Sequence, residues 1–234
     1  KEELALISAN APIIADVGCK TNVEALRSQI EKFYFNSDIL YQNVAQITKG
    51  TRAAVVSSRL DYAETVYLLA MFHLESFRVR SSGNLRNLVL YLEDQSFEKN
   101  LDMKICISTV ASIVFRKWHD HQREEFKSTI VEEQVVSLFS LLLNRSADVR
   151  SMASSFLEEI RTSFSFTMWN TTCISAYLDV LRLSDEGFQR GQTIDLIEVK
   201  LPDKYLGSSY LPQDYQERSN IFSFVRDVCI NWII

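Results

Sequence analysis

The 234-residue chain is 47% hydrophobic and 24% charged, and its 25 Lys and Arg against 30 Asp and Glu leave a formal charge of −5. Six Gly and three Pro make up about 4% of it, against about 12% in average usage, which argues against a turn-rich β sandwich or a glycine-looped nucleotide fold. Mild acidity without a basic stripe argues against a nucleic-acid groove, because Arg78 with Arg80 and Arg116 with Lys117 are too small a basic surface to neutralise several phosphates.

The longest uninterrupted apolar runs, such as Val66 to Phe72, fall far short of the roughly 18 to 20 residues that span a bilayer. Cys19, Cys106, Cys173 and Cys229 lie far apart in apolar segments with no CxxC pair, the pattern of free buried thiols in a reducing compartment. The sequons Asn144-Arg145-Ser146 and Asn170-Thr171-Thr172 carry little weight without a signal peptide. The start at Lys1 and the apolar end Asn231-Trp232-Ile233-Ile234 suggest a piece of a longer protein.

Glycines and prolines punctuate a series of helical patterns. After Pro12 and Gly18, Thr21 or Asn22 can cap a helix carrying Val23, Leu26, Ile30, Phe33 and Tyr34 on one stripe. Ser37 can cap the next, with Ile39, Leu40, Val44 and Ile47 inward before Gly50. Thr51 to Val79 reads as two helices ended by Ser81-Ser82-Gly83, Leu85 to Asp94 as a short helix, and Leu101 to Trp118 as a strongly apolar one.

From about Glu124 to Ser163, two amphipathic helices flank a polar turn at Asn144-Arg145-Ser146. Leu141-Leu142-Leu143, Asp148-Val149-Arg150, Ala153, Leu157 and Ile160 resemble a HEAT repeat, with Asp148 offered to free amides and the small Ala153 permitting close approach. The predicted fold is therefore all-α, an irregular HEAT-like α-solenoid of helix pairs over 1–184. A long loop over 185–212 holds a β-like Ile194 to Leu201, and a further solenoid helix occupies 213–234. That helix turns Tyr215, Phe222, Val225, Cys229 and Trp232 inward.

Neither G-x-x-x-x-G-K-S/T nor G-x-G-x-x-G occurs, and the kinase catalytic-loop and D-F-G motifs are missing from the chain. His119-Asp120-His121, with Glu124 and Glu125 beyond, is the one histidine cluster, and it reads as a solvated turn between helices. His73 reads as a hydrogen-bonded packing residue. No G-x-S-x-G elbow or H-E-x-x-H pair is found, so no catalytic, cofactor-binding or metal residue is assigned. Glu124-Glu125, Glu132-Glu133 and Glu158-Glu159 look like solvated helix faces. Phe33-Tyr34-Phe35 and Phe164 to Trp169 are the two places where aromatic excess can mark a partner contact.

Val66-Tyr67, Leu74-Glu75-Ser76-Phe77-Arg78-Val79, then Tyr91-Leu92-Glu93-Asp94 and Lys99 resemble the helical region of the type III alpha phosphatidylinositol 4-kinases. There an L-E-x-x-R-V segment precedes an F/Y-x-E-D…K-D block. Met103, Val149-Arg150 with Ala153 and Leu157, Trp169, and Leu211-Pro212-Gln213-Asp214-Tyr215-Gln216-Glu217-Arg218 follow in order, the last similar to V-P-D-x-Y-E-x-R. The resemblance spans roughly 60–234, and residues 1–59 are compatible with it. Gln213 and Asn100 each stand where the family has an aspartate.

The resemblance implies a large cytoplasmic enzyme, peripheral to the plasma membrane, that uses ATP and magnesium to phosphorylate the 4-hydroxyl of phosphatidylinositol. Its catalytic domain would lie C-terminal to this chain. The segment itself would be a noncatalytic solenoid supporting a homodimer and assembly with a tetratricopeptide-repeat scaffold, hyccin and a palmitoylated membrane anchor. The alternative is a HEAT-like adaptor unrelated to a kinase.

Overall fold

A computed structural model describes residues 37–81, 84–97, 99–190, 197–200 and 208–233. The helix expected after Thr21 or Asn22, Phe33-Tyr34-Phe35 and Cys19 lie outside these residues. The fold is all-α, and the chain divides into two compact units at Glu124 and Glu125.

In the first unit, α1 (Ser37–Ile47) is followed by a turn in which Gly50 takes a φ of +79°, a left-handed conformation that costs a residue without a Cβ little. The short α2 (Ala53–Val56) and a 3-10 turn at Ser57–Arg59 lead to α3 (Tyr62–Ser81), so Thr51 to Val79 does divide as expected. A reciprocal cap starts α3: Asp61 Oδ1 accepts from the Glu64 amide at 2.8 Å, and Glu64 Oε2 accepts from the Asp61 amide at 2.9 Å. Then come α4 (Arg86–Leu90), 3-10 turns at Tyr91–Glu93 and Gln95–Phe97, and α5 (Leu101–Glu124).

On α5, Met103, Cys106, Val110, Val114 and Trp118 recur every three or four residues and, with Ile107 beside them, are all buried. This stripe packs on α3, whose Tyr67, Leu68 and Met71 are buried to 1% exposure or less. Tyr67 meets Tyr91 and Phe97 edge to face, with ring centroids 6.3 and 5.4 Å apart, and so ties α3 to the two 3-10 turns.

The second unit opens with α6 (Ser128–Leu141), in which every residue from Val135 to Leu141 is buried. A helix apolar on most sides must be covered on most sides, and α6 is covered by α7 (Ala147–Ser163) and α8 (Thr171–Gln189). Between α7 and α8 lies a 3-10 turn at Ser165–Met168. The connections are short, which makes α6 and α7 antiparallel neighbours. The HEAT-like stripe packs as its spacing requires, with Val149, Ala153, Leu157 and Ile160 buried. Ser146 provides a side-chain cap at the start of α7, accepting from the Val149 amide at 3.5 Å, with Asp148 in the first turn. Asn170 does the same for α8, accepting from the Cys173 amide at 3.1 Å.

The expected loop over 185–212 begins later than its composition suggests. Helix α8 runs on through Gln189, carrying Asp185 and Gly187 within it. The β-like segment is a strand, β1 (Ile197–Lys200), paired antiparallel with β2 (Ser208–Leu211) in the register Ile197 to Leu211 and Lys200 to Ser208. This small hairpin, set among nine described α-helices, leads into α9 (Tyr215–Ile233), which packs on α8 and meets α7. Val225, Cys229 and Trp232 are buried as expected. Tyr215 is instead 40% exposed, its ring stacked on that of the half-buried Phe188 with centroids 5.2 Å apart.

Candidate functional site

The helices keep the candidate chemical residues apart. His119 and His121 lie on α5, which continues to Glu124 where the sequence suggested a turn. Two residues apart on a helix is a rotation of about 200°, so the two rings leave opposite sides. The His119 ring packs 6.1 Å from Phe115, and its Nδ1 lies 3.7 Å from Asp120 Oδ1. His73 is exposed, its ring edge-on to Phe72 at 5.3 Å, so it is a surface residue and not the packing histidine expected of it.

Cys106, Cys173 and Cys229 are free and buried, as their apolar settings suggest, and burial pushes their thiols up to about 11, 12 and 12. So high a pKa leaves almost no thiolate at neutral pH, which makes these cysteines inert packing residues. Of the carboxylate pairs, Glu158 and Arg161 form a surface ion pair through two hydrogen bonds of 2.8 and 3.0 Å. Among the described residues, no group of three His, Cys, Asp or Glu could hold a metal ion, and no helix is long and apolar enough to cross a membrane.

Three residues of the blocks quoted for the resemblance, Glu75, Arg78 and Tyr91, meet in the first unit. Glu75 and Arg78 of α3 are both fully buried and paired, Arg78 Nη1 donating to Glu75 Oε1. The same oxygen accepts from Tyr91 Oη at 2.8 Å, so the L-E-x-x-R-V segment and the Y-x-E-D block meet in one buried polar cluster. Glu75 Oε2 has no partner. Burial raises the Glu75 pKa, opposed by the Arg78 charge and the Tyr91 hydrogen bond. The sequence signal that could have found this pair is E-x-x-R spacing, which puts opposite charges one turn apart on a helix beside apolar Leu74 and Val79.

Asn100, where the resemblance would have an aspartate, caps α5. Its Oδ1 accepts from the Met103 amide at 3.0 Å at the start of α5. Its Nδ2 donates to Glu64 Oε1 at 2.6 Å, so Glu64 serves the starts of α3 and α5 at once. Only the neutral amide can do both. Gln213, the other departure, is exposed and contributes its backbone carbonyl.

The last block, Leu211 to Arg218, forms the entry to α9. Leu211 is buried against α8, Asp214 Oδ2 accepts from the Glu217 amide at 2.8 Å, and Arg218 Nη1 reaches back to the carbonyls of Pro212, at 2.9 Å, and Gln213. Arg150 on α7 makes the same arrangement, its Nη1 donating to the carbonyls of Asn144 at 2.7 Å and Arg145 at 2.8 Å. In both helices the arginine clasps carbonyls five and six residues earlier. The shared geometry is not legible in the sequence, because only the arginine and its turn recur while the apolar residues differ.

The aromatic excess near Phe164 is partly at the surface. Trp169 is 81% exposed and Phe126 is 53% exposed, while Phe126 stacks on the buried Phe164 and meets Phe166 edge to face at 5.4 Å. The described residues thus offer packing clusters, helix-entry clasps and an exposed aromatic surface. No known protein-family model matches the chain.

Proposed function

We propose that the chain is a noncatalytic α-solenoid segment of a type III alpha phosphatidylinositol 4-kinase, serving dimerisation and assembly with protein partners. The observation that carries this reading is the Glu75–Arg78–Tyr91 cluster, in which two sequence blocks of the resemblance share one buried hydrogen-bonded carboxylate, Glu75 and Tyr91 being 16 residues apart. A buried charge loses its compensation when either partner is lost, so such residues are held together for reasons of folding. The blocks around Asn100 and from Leu211 to Arg218 have local roles of the same kind.

In this reading the parent enzyme uses ATP and magnesium to convert phosphatidylinositol to phosphatidylinositol 4-phosphate, through a kinase domain C-terminal to this segment. Its place is cytoplasmic and peripheral to the plasma membrane. The expected partners are a second copy, a tetratricopeptide-repeat scaffold, hyccin and a palmitoylated anchor. A pull-down with the tagged chain, read by mass spectrometry, is expected to recover lipid-kinase chains or those scaffold proteins. Recovery of unrelated proteins alone, or saturable micromolar ATP binding by the isolated chain, would overturn the proposal.

The second reading is a HEAT-like adaptor without a kinase. It is favoured by the repeated clasp of Arg150 and Arg218, which belongs to helix pairs in general and to no particular enzyme.

A further inference from the structure

We draw no further inference here: the strongest candidate, the exposed aromatic surface of Phe126, Phe166 and Trp169 beside the start of α6 and the turn between α7 and α8, carries no assignment, because the flanking charges Glu125 and Lys127 balance and nothing in the structure shows what covers it.

Discussion

Gly187 of α8 and Leu211 at the end of β2 approach so closely that a Cβ on Gly187 would lie 2.2 Å from Leu211 Cδ1. Leu211 is 1% exposed, so its side chain has little room to retreat. A helix-interior glycine costs about 1 kcal/mol relative to alanine, and here that cost is offset by the seat it makes for the hairpin.

Gly187→Ala is accordingly expected to destabilise the chain by about 1 to 3 kcal/mol through overpacking, despite the better helix former. Adding Leu211→Ala removes the clash. A urea-denaturation cycle of the two single variants and the double is expected to show the glycine substitution becoming harmless in the Leu211→Ala background. A stabilising Gly187→Ala in the wild-type background would contradict the close contact.

Arg78→Met leaves the Glu75 carboxylate buried with Tyr91 as its remaining hydrogen-bond donor among the described contacts. Breaking a buried pair in this way costs about 3 to 5 kcal/mol. Adding Glu75→Gln removes the stranded charge yet keeps an acceptor for Tyr91, so the double variant is expected to recover at least half the loss. Equal stability of Arg78→Met and wild type, by chemical denaturation, would show that the pair is not buried.

The raised Glu75 pKa sets a pH dependence. Below the ordinary value of 4.5 the carboxyl is protonated in both states; between 4.5 and the raised folded value the folded chain holds the extra proton. The stability tied to this proton is therefore full at low pH and lost as pH rises through the folded pKa. Comparing wild type with Glu75→Gln cancels other groups, and the wild type is expected to gain on the variant as pH falls from 7 toward 4.5. A wild type that loses ground over that range would mean the Arg78 attraction outweighs desolvation.

Placing an aspartate at position 100 is expected to destabilise this chain. The new carboxylate would keep the cap on Met103 but would stand against Glu64 Oε1, which now accepts from Asn100 Nδ2 at 2.6 Å. Like charges this close repel. Asn100→Asp should lower the melting temperature, and Glu64→Gln added to it should restore most of the loss. A more stable Asn100→Asp would place the two side chains apart.

Helices of clear period were legible from sequence. Met103, Val110, Val114 and Trp118 on α5, and Val149, Ala153 and Leu157 on α7, fell on the buried side because burial follows the 3.6-residue spacing. Ends were less legible: α5 runs past Trp118 through polar His119 to Glu124, and α8 holds Gly187, because tertiary packing overrides a residue's weak local preference. The Glu75 to Tyr91 and Asn100 to Glu64 bonds were invisible to periodicity, since each joins residues on different elements. The stacking of Tyr215 on Phe188 likewise joins two helices, a contact that no single helical wheel contains.

The most direct test of the proposed identity is to sequence the transcript that encodes the chain through to its stop codon. The proposal predicts a lipid-kinase D-R-H-x-x-N followed by D-F-G downstream of Ile234. A reading frame that closes without these motifs would contradict it and leave the HEAT-like adaptor.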